Sequence, residues 1–262
     1  MTYPDGFDGL FTRNGTDLYV YHAVTHPGWP TIVFLHDSLG CTALWRDFPA
    51  RLAAATQCNL LVYDRQGYGR SAPFSGPPRT KGYLEREAAV LRGLLDALSL
   101  RDVVLFGHSD GASIALIAAA LQPAGIRALV SEAAHLFVEP ETLQGVRTAV
   151  EQYSATNLKE RLGKYHGSKT EALFRAWTDT WLDPAFRNWD ITPLLPGISC
   201  PTLVIQGEHD EYGTVRQVEG IASGINGPVE VLLLPGIGHT PHKEAPEATL
   251  HHAAAFLKGL EA

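Results

Sequence analysis

Cysteine is scarce in this chain of 262 residues: three in all, at positions 41, 58 and 200. The number is odd, the spacing is wide and no Cys-x-x-Cys pair occurs, which excludes a disulfide framework and a cysteine zinc site as organising devices. A reducing, cytoplasmic setting is expected. Basic residues are outnumbered, 21 against 28 acidic, for a formal charge of −7. That balance gives no electrostatic footprint for nucleic acid, and solubility suffices to account for it. No apolar run approaches the roughly 18 residues of a membrane span, and the first residues lack a basic stretch followed by an apolar one, so neither a membrane partner nor a targeting signal is expected. Internal repeats and low-complexity tracts are also missing. There is no His-Glu-x-x-His, and no other histidine spacing suggests ligands, so no metal and no cofactor are expected. The glycines of Gln66-Gly67-Tyr68-Gly69-Arg70 lack the Gly-Lys-Ser/Thr ending of a phosphate loop and read as a backbone turn. Oligomeric state is not legible.

What is present is a rhythm. Asn14-Gly15 separates two segments able to pair, 7–12 and 18–24, and predicts a two-residue hairpin. Continuous apolar strands are then predicted at 31–35, 60–63, 102–106 and 127–130, with helices at 44–55, at 83–98 and after Ser109. Apolar strands separated by helices predict a doubly wound, mostly parallel α/β sheet covered on both faces. After Ala134 the rhythm breaks. Residues 135–196 show helical patterns without a convincing strand and predict an inserted helical cap, leaving 1–134 and 197–262 as the core domain. The cap aromatics Phe174, Trp177, Trp181, Phe186 and Trp189 are expected to form a small core of their own on the main domain, some lining an apolar pocket above Ser109. The core pattern resumes with strands at 201–205 and 229–233 and helices at 215–223 and 246–260.

Gly107-His108-Ser109-Asp110-Gly111 lies where a predicted strand meets an Ala-rich helix. A serine held up on so tight a turn, with small residues at both flanks to avoid collision, is placed as a nucleophile. The bland alternative is a serine that merely caps the helix. A hydroxyl needs a base, and the base needs an orienting group. His239 and Asp210 each follow a predicted strand and supply both, in the chain order Ser, Asp, His. His242 competes with His239, and Glu208, Glu211 and Glu132 compete with Asp210. Asp110 as nucleophile would put His108 where a small residue is required, which fails sterically.

Five ordered stretches now stand together: Leu35-His36-Asp37-Ser38-Leu39-Gly40, Tyr63-Asp64-Arg65-Gln66-Gly67-Tyr68-Gly69-Arg70-Ser71, the elbow, Gly207-Glu208-His209-Asp210, and Gly238-His239 followed by Glu244-Ala245-Pro246-Glu247. On these the chain resembles an α/β-hydrolase over nearly its whole length. The resemblance implies that Ser109 is the nucleophile, His239 the general base and then acid, and Asp210 the residue that orients the imidazole. It places one oxyanion donor at the backbone N–H of Asp110 and the second at Ser38, with Leu39 as the neighbouring option. Asp37 departs from the family's usual His-Gly.

The side chain of Asp110 has two readings. One is favourable electrostatics at the positive end of the following helix, worth about 0.3–1 kcal/mol. The other comes from the Ser-Asp-Gly elbow, which resembles the valacyclovir-hydrolase-like (biphenyl hydrolase-like) branch, where this Asp recognises the α-amino group of amino-acid esters. The expected activity is hydrolysis of a small-molecule carboxylic ester through an acyl-enzyme, with Asp110, Trp177 and Trp181 contacting substrate. Carbon–carbon bond hydrolysis of ring-fission diketones uses the same triad and stays open, as does a ligand-binding protein with little turnover.

Overall fold

The computed structural model describes residues 6–13 and 15–260. The first two strands, β1 (Phe7–Arg13) and β2 (Thr16–Ala23), form the expected antiparallel hairpin. Arg13 pairs with Thr16, which leaves a two-residue connection, and Gly15 has a φ of 75°, the left-handed backbone such a turn demands. Asn14, the other half of the predicted turn, lies outside the described residues. Next come β3 (Thr31–Leu35), α1 (Phe48–Thr56), β4 (Asn59–Tyr63), α2 (Tyr83–Ala97), β5 (Val103–His108), α3 (Asp110–Leu121) and β6 (Ile126–Glu132). Three α-helices follow, α4 (Pro140–Ala155), α5 (Leu158–His166) and α6 (Thr170–Leu182). The chain closes with β7 (Thr202–Gly207), α7 (Val215–Gly224), β8 (Val229–Leu234), the short α8 (Pro241–Glu244) and α9 (Pro246–Gly259).

The strands lie in the order β1-β2-β4-β3-β5-β6-β7-β8. Pairing is antiparallel from β1 to β4 and parallel from β4 through β3 to β8. Every residue of β3, β4, β5 and β7 is buried, which explains their unbroken apolar sequences. Successive residues still serve opposite faces. Val33, Leu61 and Leu105 pack beneath α2 and α3, while Ile32, Phe34, Val62 and Phe106 pack beneath α1 and α9. The outermost strand β8 departs from the expectation of full burial. Val231 and Leu233 are exposed there, because an edge strand has a neighbour on one side only.

The predicted helix at 44–55 is two pieces, a 3₁₀ turn at Thr42–Trp45 and then α1. Pro49 accounts for the break: in a continuous helix its ring would meet the carbonyl of Trp45, and it has no N–H to donate. The chain instead turns at Arg46, whose φ is 54°.

Among the described residues, the segment between β6 and β7 contains no strand, only an isolated bridge from Phe137 to Asp190 that draws its two ends together. Its aromatics do not make a separate core. Phe174, Trp177, Trp181, Phe186 and Trp189 belong to one hydrophobic cluster with Leu91, Ala115 and Tyr83 of the main sheet's helices. Phe186 stacks on Trp189 at 5.4 Å and packs on Tyr83 at 5.9 Å, so apolar contact runs without a gap from α2 into this segment.

Beneath the sheet an aromatic cluster surrounds Phe106, which stacks on Phe34 at 5.0 Å and meets the ring of Trp45 at 5.8 Å and that of Phe48 at 5.6 Å. Phe106→Ala is expected to cost about 3–5 kcal/mol, read from urea unfolding, because the three rings around it would border the cavity and lose a partner.

Candidate active site

β5 ends at His108 and α3 begins at Asp110, so Ser109 alone makes the turn from strand to helix. Its φ of 55° and ψ of −122° are values that a non-glycine residue adopts only when its surroundings impose them. The imposition is steric. A Cβ added at Gly107 would lie 2.4 Å from the Cα of Ala112, and one at Gly111 would lie 2.0 Å from the carbonyl oxygen of Leu35. Ser109 makes no side-chain cap bond to α3, which removes the capping alternative. Its Oγ lies instead 2.9 Å from Nε2 of His239.

On the far side of that imidazole, Nδ1 is 2.8 and 2.9 Å from the two carboxylate oxygens of Asp210. Asp210 is fixed in turn by the N–H groups of Tyr212 and Gly213, which donate to its Oδ1 at 2.8 and 3.3 Å. With a carboxylate against Nδ1, the proton belongs there and Nε2 presents its lone pair to the serine. Burial works against the charged imidazole, but the Asp210 carboxylate and its hydrogen bond outweigh it and raise the proton affinity of His239. Burial also opposes ionisation of Asp210, and there His239 and the Tyr212 N–H prevail and hold its pKa below the ordinary value.

The competing candidates pair with each other. Glu132, fully buried at the end of β6, accepts from Nδ1 of His242 at 2.9 and 3.0 Å and from the His242 backbone N–H at 2.7 Å. Glu211 accepts from the backbone N–H of His239 at 3.2 Å and does not meet its ring nitrogens, while Glu208 is exposed. His108, which precedes the serine, donates from Nε2 to the carbonyl of His239 at 2.8 Å. The loop that carries His239 is therefore held from both sides.

A small cavity of about 70 Å³ opens above Ser109. Asp37, Ser38 and Leu39 line one side, Thr142, Val146, Trp177 and Trp181 the roof, and Asp110, His135 and Tyr212 lie beside the Ser109–His239 pair. All five residues named for the oxyanion and substrate contacts thus come to one space. No N–H of Ser38, Leu39 or Asp110 is hydrogen-bonded among the described residues. Asp37 folds back toward His108, 4.0 Å away, and a Cβ at Gly40 would fall 1.9 Å from its Oδ1. Gly40 thus makes room for the side chain that stands where the family has glycine. Burial opposes the charge of Asp37, but the neighbouring His108 and Lys243 hold its pKa far below the ordinary range.

Asp110 sits in the first turn of α3, as the electrostatic reading requires, yet it is buried, and its Oδ2 accepts from Oη of Tyr83 at 2.8 Å. Tyr83 accepts in turn from Nε1 of Trp181 at 2.9 Å. Arg65, wholly buried, approaches Oδ2 at 3.8 Å, and Oδ1 has no partner among the described residues.

Residues 32–252 match the family model described as "Alpha/beta hydrolase family", most of the chain's length. The chain belongs to the alpha/beta hydrolase family. Epoxide hydrolase A of Mycobacterium tuberculosis is 27% identical over 96% of this chain and 97% of that protein. Serine hydrolase BPHL of Mus musculus is 33% identical, over 58% of this chain and 53% of that protein. Among solved structures, MGS-M2, an alpha/beta hydrolase enzyme from a Medee basin deep-sea metagenome library, superposes with a TM-score of 0.77 at 21% identity, covering 95% of this chain and 96% of that one.

In open α/β sheets ligands bind beyond the carboxyl ends of the strands, and the candidate residues gather there. That rule could have flagged His135, just beyond the end of β6, which sequence reasoning passed over. Its ring lies over that of His239 at 6.0 Å, inclined by 29°, and burial, then the neighbouring His239, lowers its pKa to about 4. Tyr83, Thr142 and Val146 carry no comparable local signal; only the packing of α2 and α4 brings them in.

Because the folded pKa of His239 is raised, its contribution to stability is complete below the unfolded value near 6.5 and fades as pH climbs through the folded one. For Asp210 the contribution is complete above the unfolded value near 3.9 and is lost as pH falls through the depressed one. In side-chain NMR titration Asp210→Asn is expected to lower the His239 midpoint; an unchanged midpoint contradicts the assigned pairing. Glu132→Ala leaves His242 buried without its carboxylate and is expected to cost about 3–5 kcal/mol in urea unfolding.

Proposed function

We propose that the chain is a serine hydrolase of small carboxylic esters working through an acyl-enzyme, with residues 135–196 as a cap over a core of 1–134 and 197–262. The observation that carries this is the continuous hydrogen-bonded line from Ser109 Oγ through His239 to Asp210. Ser109 Oγ attacks the ester carbonyl carbon as its proton passes to Nε2 of His239, and the new imidazolium is stabilised by the Asp210 carboxylate. The tetrahedral oxyanion is received by the N–H of Asp110 and by that of Ser38 or Leu39; such a donor is typically worth about 2.7–4 kcal/mol of barrier. Collapse breaks the C–O bond, His239 hands its proton to the departing alkoxide, and water repeats the sequence to free the acid.

The small cavity favours a compact acyl group. Within that class we favour α-amino-acid esters, since an ammonium would give the unpartnered Oδ1 of Asp110 its donor while Oδ2 stays with Tyr83. The likeness to serine hydrolase BPHL agrees with a serine nucleophile. Nucleophilic attack by Asp110 finds no comparable support, its Oδ2 accepting from Tyr83 while the ring nitrogens of His239 pair with Asp210 and Ser109.

A fluorophosphonate probe is expected to label the wild type and not Ser109→Ala, and failure to label Ser109 rejects the mechanism. Because His239 must be neutral to act as base and its pKa is raised, the acid limb of kcat/KM should lie above the ordinary histidine value of about 6.5. Asp110→Asn should lower kcat/KM for an α-amino ester about 10- to 100-fold and barely affect its deaminated analogue. Equal losses on the two substrates would reject amine recognition and leave the esterase reading standing.

A further inference from the structure

His166, the last residue of α5, is buried against the two loops that follow β3 and β4. Its Nδ1 accepts from the N–H of Gly69 at 3.0 Å, and its Nε2 donates to the carbonyl of Leu39 at 3.0 Å. One nitrogen accepting and the other donating specifies a single neutral tautomer. Burial foremost lowers the pKa of this imidazole and keeps that form in place at neutral pH. Lys169 extends the contact: its Nζ donates to the carbonyls of Gly69 and Ser71, both at 2.6 Å.

The two loops are also bonded to each other without α5. The carboxylate of Asp64 accepts from the Arg70 N–H at 2.7 Å, from the Thr42 N–H at 2.6 Å and from the Thr42 hydroxyl at 2.7 Å. Arg65 donates to the carbonyl of Asp37 at 2.7 Å. The carbonyl of Leu39 is fastened from outside this unit, by a residue 127 positions away in the segment between β6 and β7. Leu39 lines the cavity over Ser109, beside Ser38.

We propose that His166 is a positioning residue for oxyanion binding, which rests on the acyl-enzyme reading above. By holding the Leu39 carbonyl it fixes the orientation of the adjoining peptides, so that an N–H and not a carbonyl oxygen faces the charge developing over Ser109. Docking of α5 thereby becomes a condition for a competent oxyanion loop. Gln offers an amide oxygen and nitrogen in place of the imidazole acceptor and donor, whereas Ala offers neither.

The test is steady-state hydrolysis of p-nitrophenyl acetate by the full chain, normalised to active sites titrated with a fluorophosphonate, together with inhibition by a small boronic acid that mimics the tetrahedral adduct. Removing an oxyanion donor outright costs about 10²–10³ in kcat, so loosening its support in His166→Ala is expected to cost about 10- to 100-fold. KM should stay within about two-fold, boronate affinity should fall in parallel with kcat, and His166→Gln should recover most of both. Should His166→Ala not fold, Lys169→Met, which cuts only the outer half of the clasp, is expected to show a smaller loss with the same split. Unchanged kcat per active site, or a loss of kcat with full boronate affinity, overturns the proposal. Ser109→Ala runs alongside: if it is inactive while the His166 variants match wild type, the clasp alone has failed, and if it retains activity the acyl-enzyme reading has failed and the clasp with it.

Discussion

The approach of α3 to the strand ends governs everything above it. Gly111 lies so close to the carbonyl of Leu35 that no side chain fits between, and Gly107 lies as close to Ala112. This contact forces Ser109 into its positive-φ turn and aims its hydroxyl away from the helix it precedes. It also sets the N-terminus of α3 beside the loop after β3, so that the first free N–H groups of the helix and those of Ser38 and Leu39 border the same cavity. A strained serine and a concentration of unpaired donors therefore have one steric origin.

Two carboxylate–imidazole pairs sit side by side at the ends of adjacent strands, Glu132 with His242 and Asp210 with His239. They differ in what lies beyond the imidazole. The ring of His242 is walled in by Trp45, whose centroid is 4.4 Å away, and by His108 at 4.9 Å. That of His239 faces Ser109 and the cavity. The first pair anchors the loop and the second is free to exchange a proton with something bound there. His108 connects them, meeting the ring of His242 edge-on and holding the backbone of His239.

Much of this was legible in order of chain. The buried strands announced themselves as apolar runs, and Ser109, Asp210 and His239 could be named as candidates because each falls in a short glycine-containing turn after a predicted strand. Sequence placed Asp210 ahead of Glu132 on motif and chain order, but both follow core strands, and only the crossing of the loops assigns each its histidine. The split of the helix at 44–55 was visible in Pro49, though hydrophobic pattern alone ran through it. His166 and Tyr83 were illegible for another reason. Their roles arise from contacts between segments up to 127 positions apart, and nothing near them in the chain records the partner. Asp110 fell between its two readings: it occupies the favourable helix end and also turns one oxygen into a buried network.

The unbroken apolar cluster beneath α6 has a kinetic meaning. Trp181, Phe186 and Trp189 are almost completely shielded from water, and they are shared with helices of the main sheet. A hinge that swung the whole segment aside would expose those rings and forfeit about 1.5–3 kcal/mol for each. Such an excursion approaches the free energy of unfolding a sizeable part of the molecule, so it is rare on the timescale of turnover. On the proposed function, a substrate would reach Ser109 by small displacements at the rim, where Leu39 and Tyr212 are only partly covered, at a cost set by side-chain motion instead of domain opening.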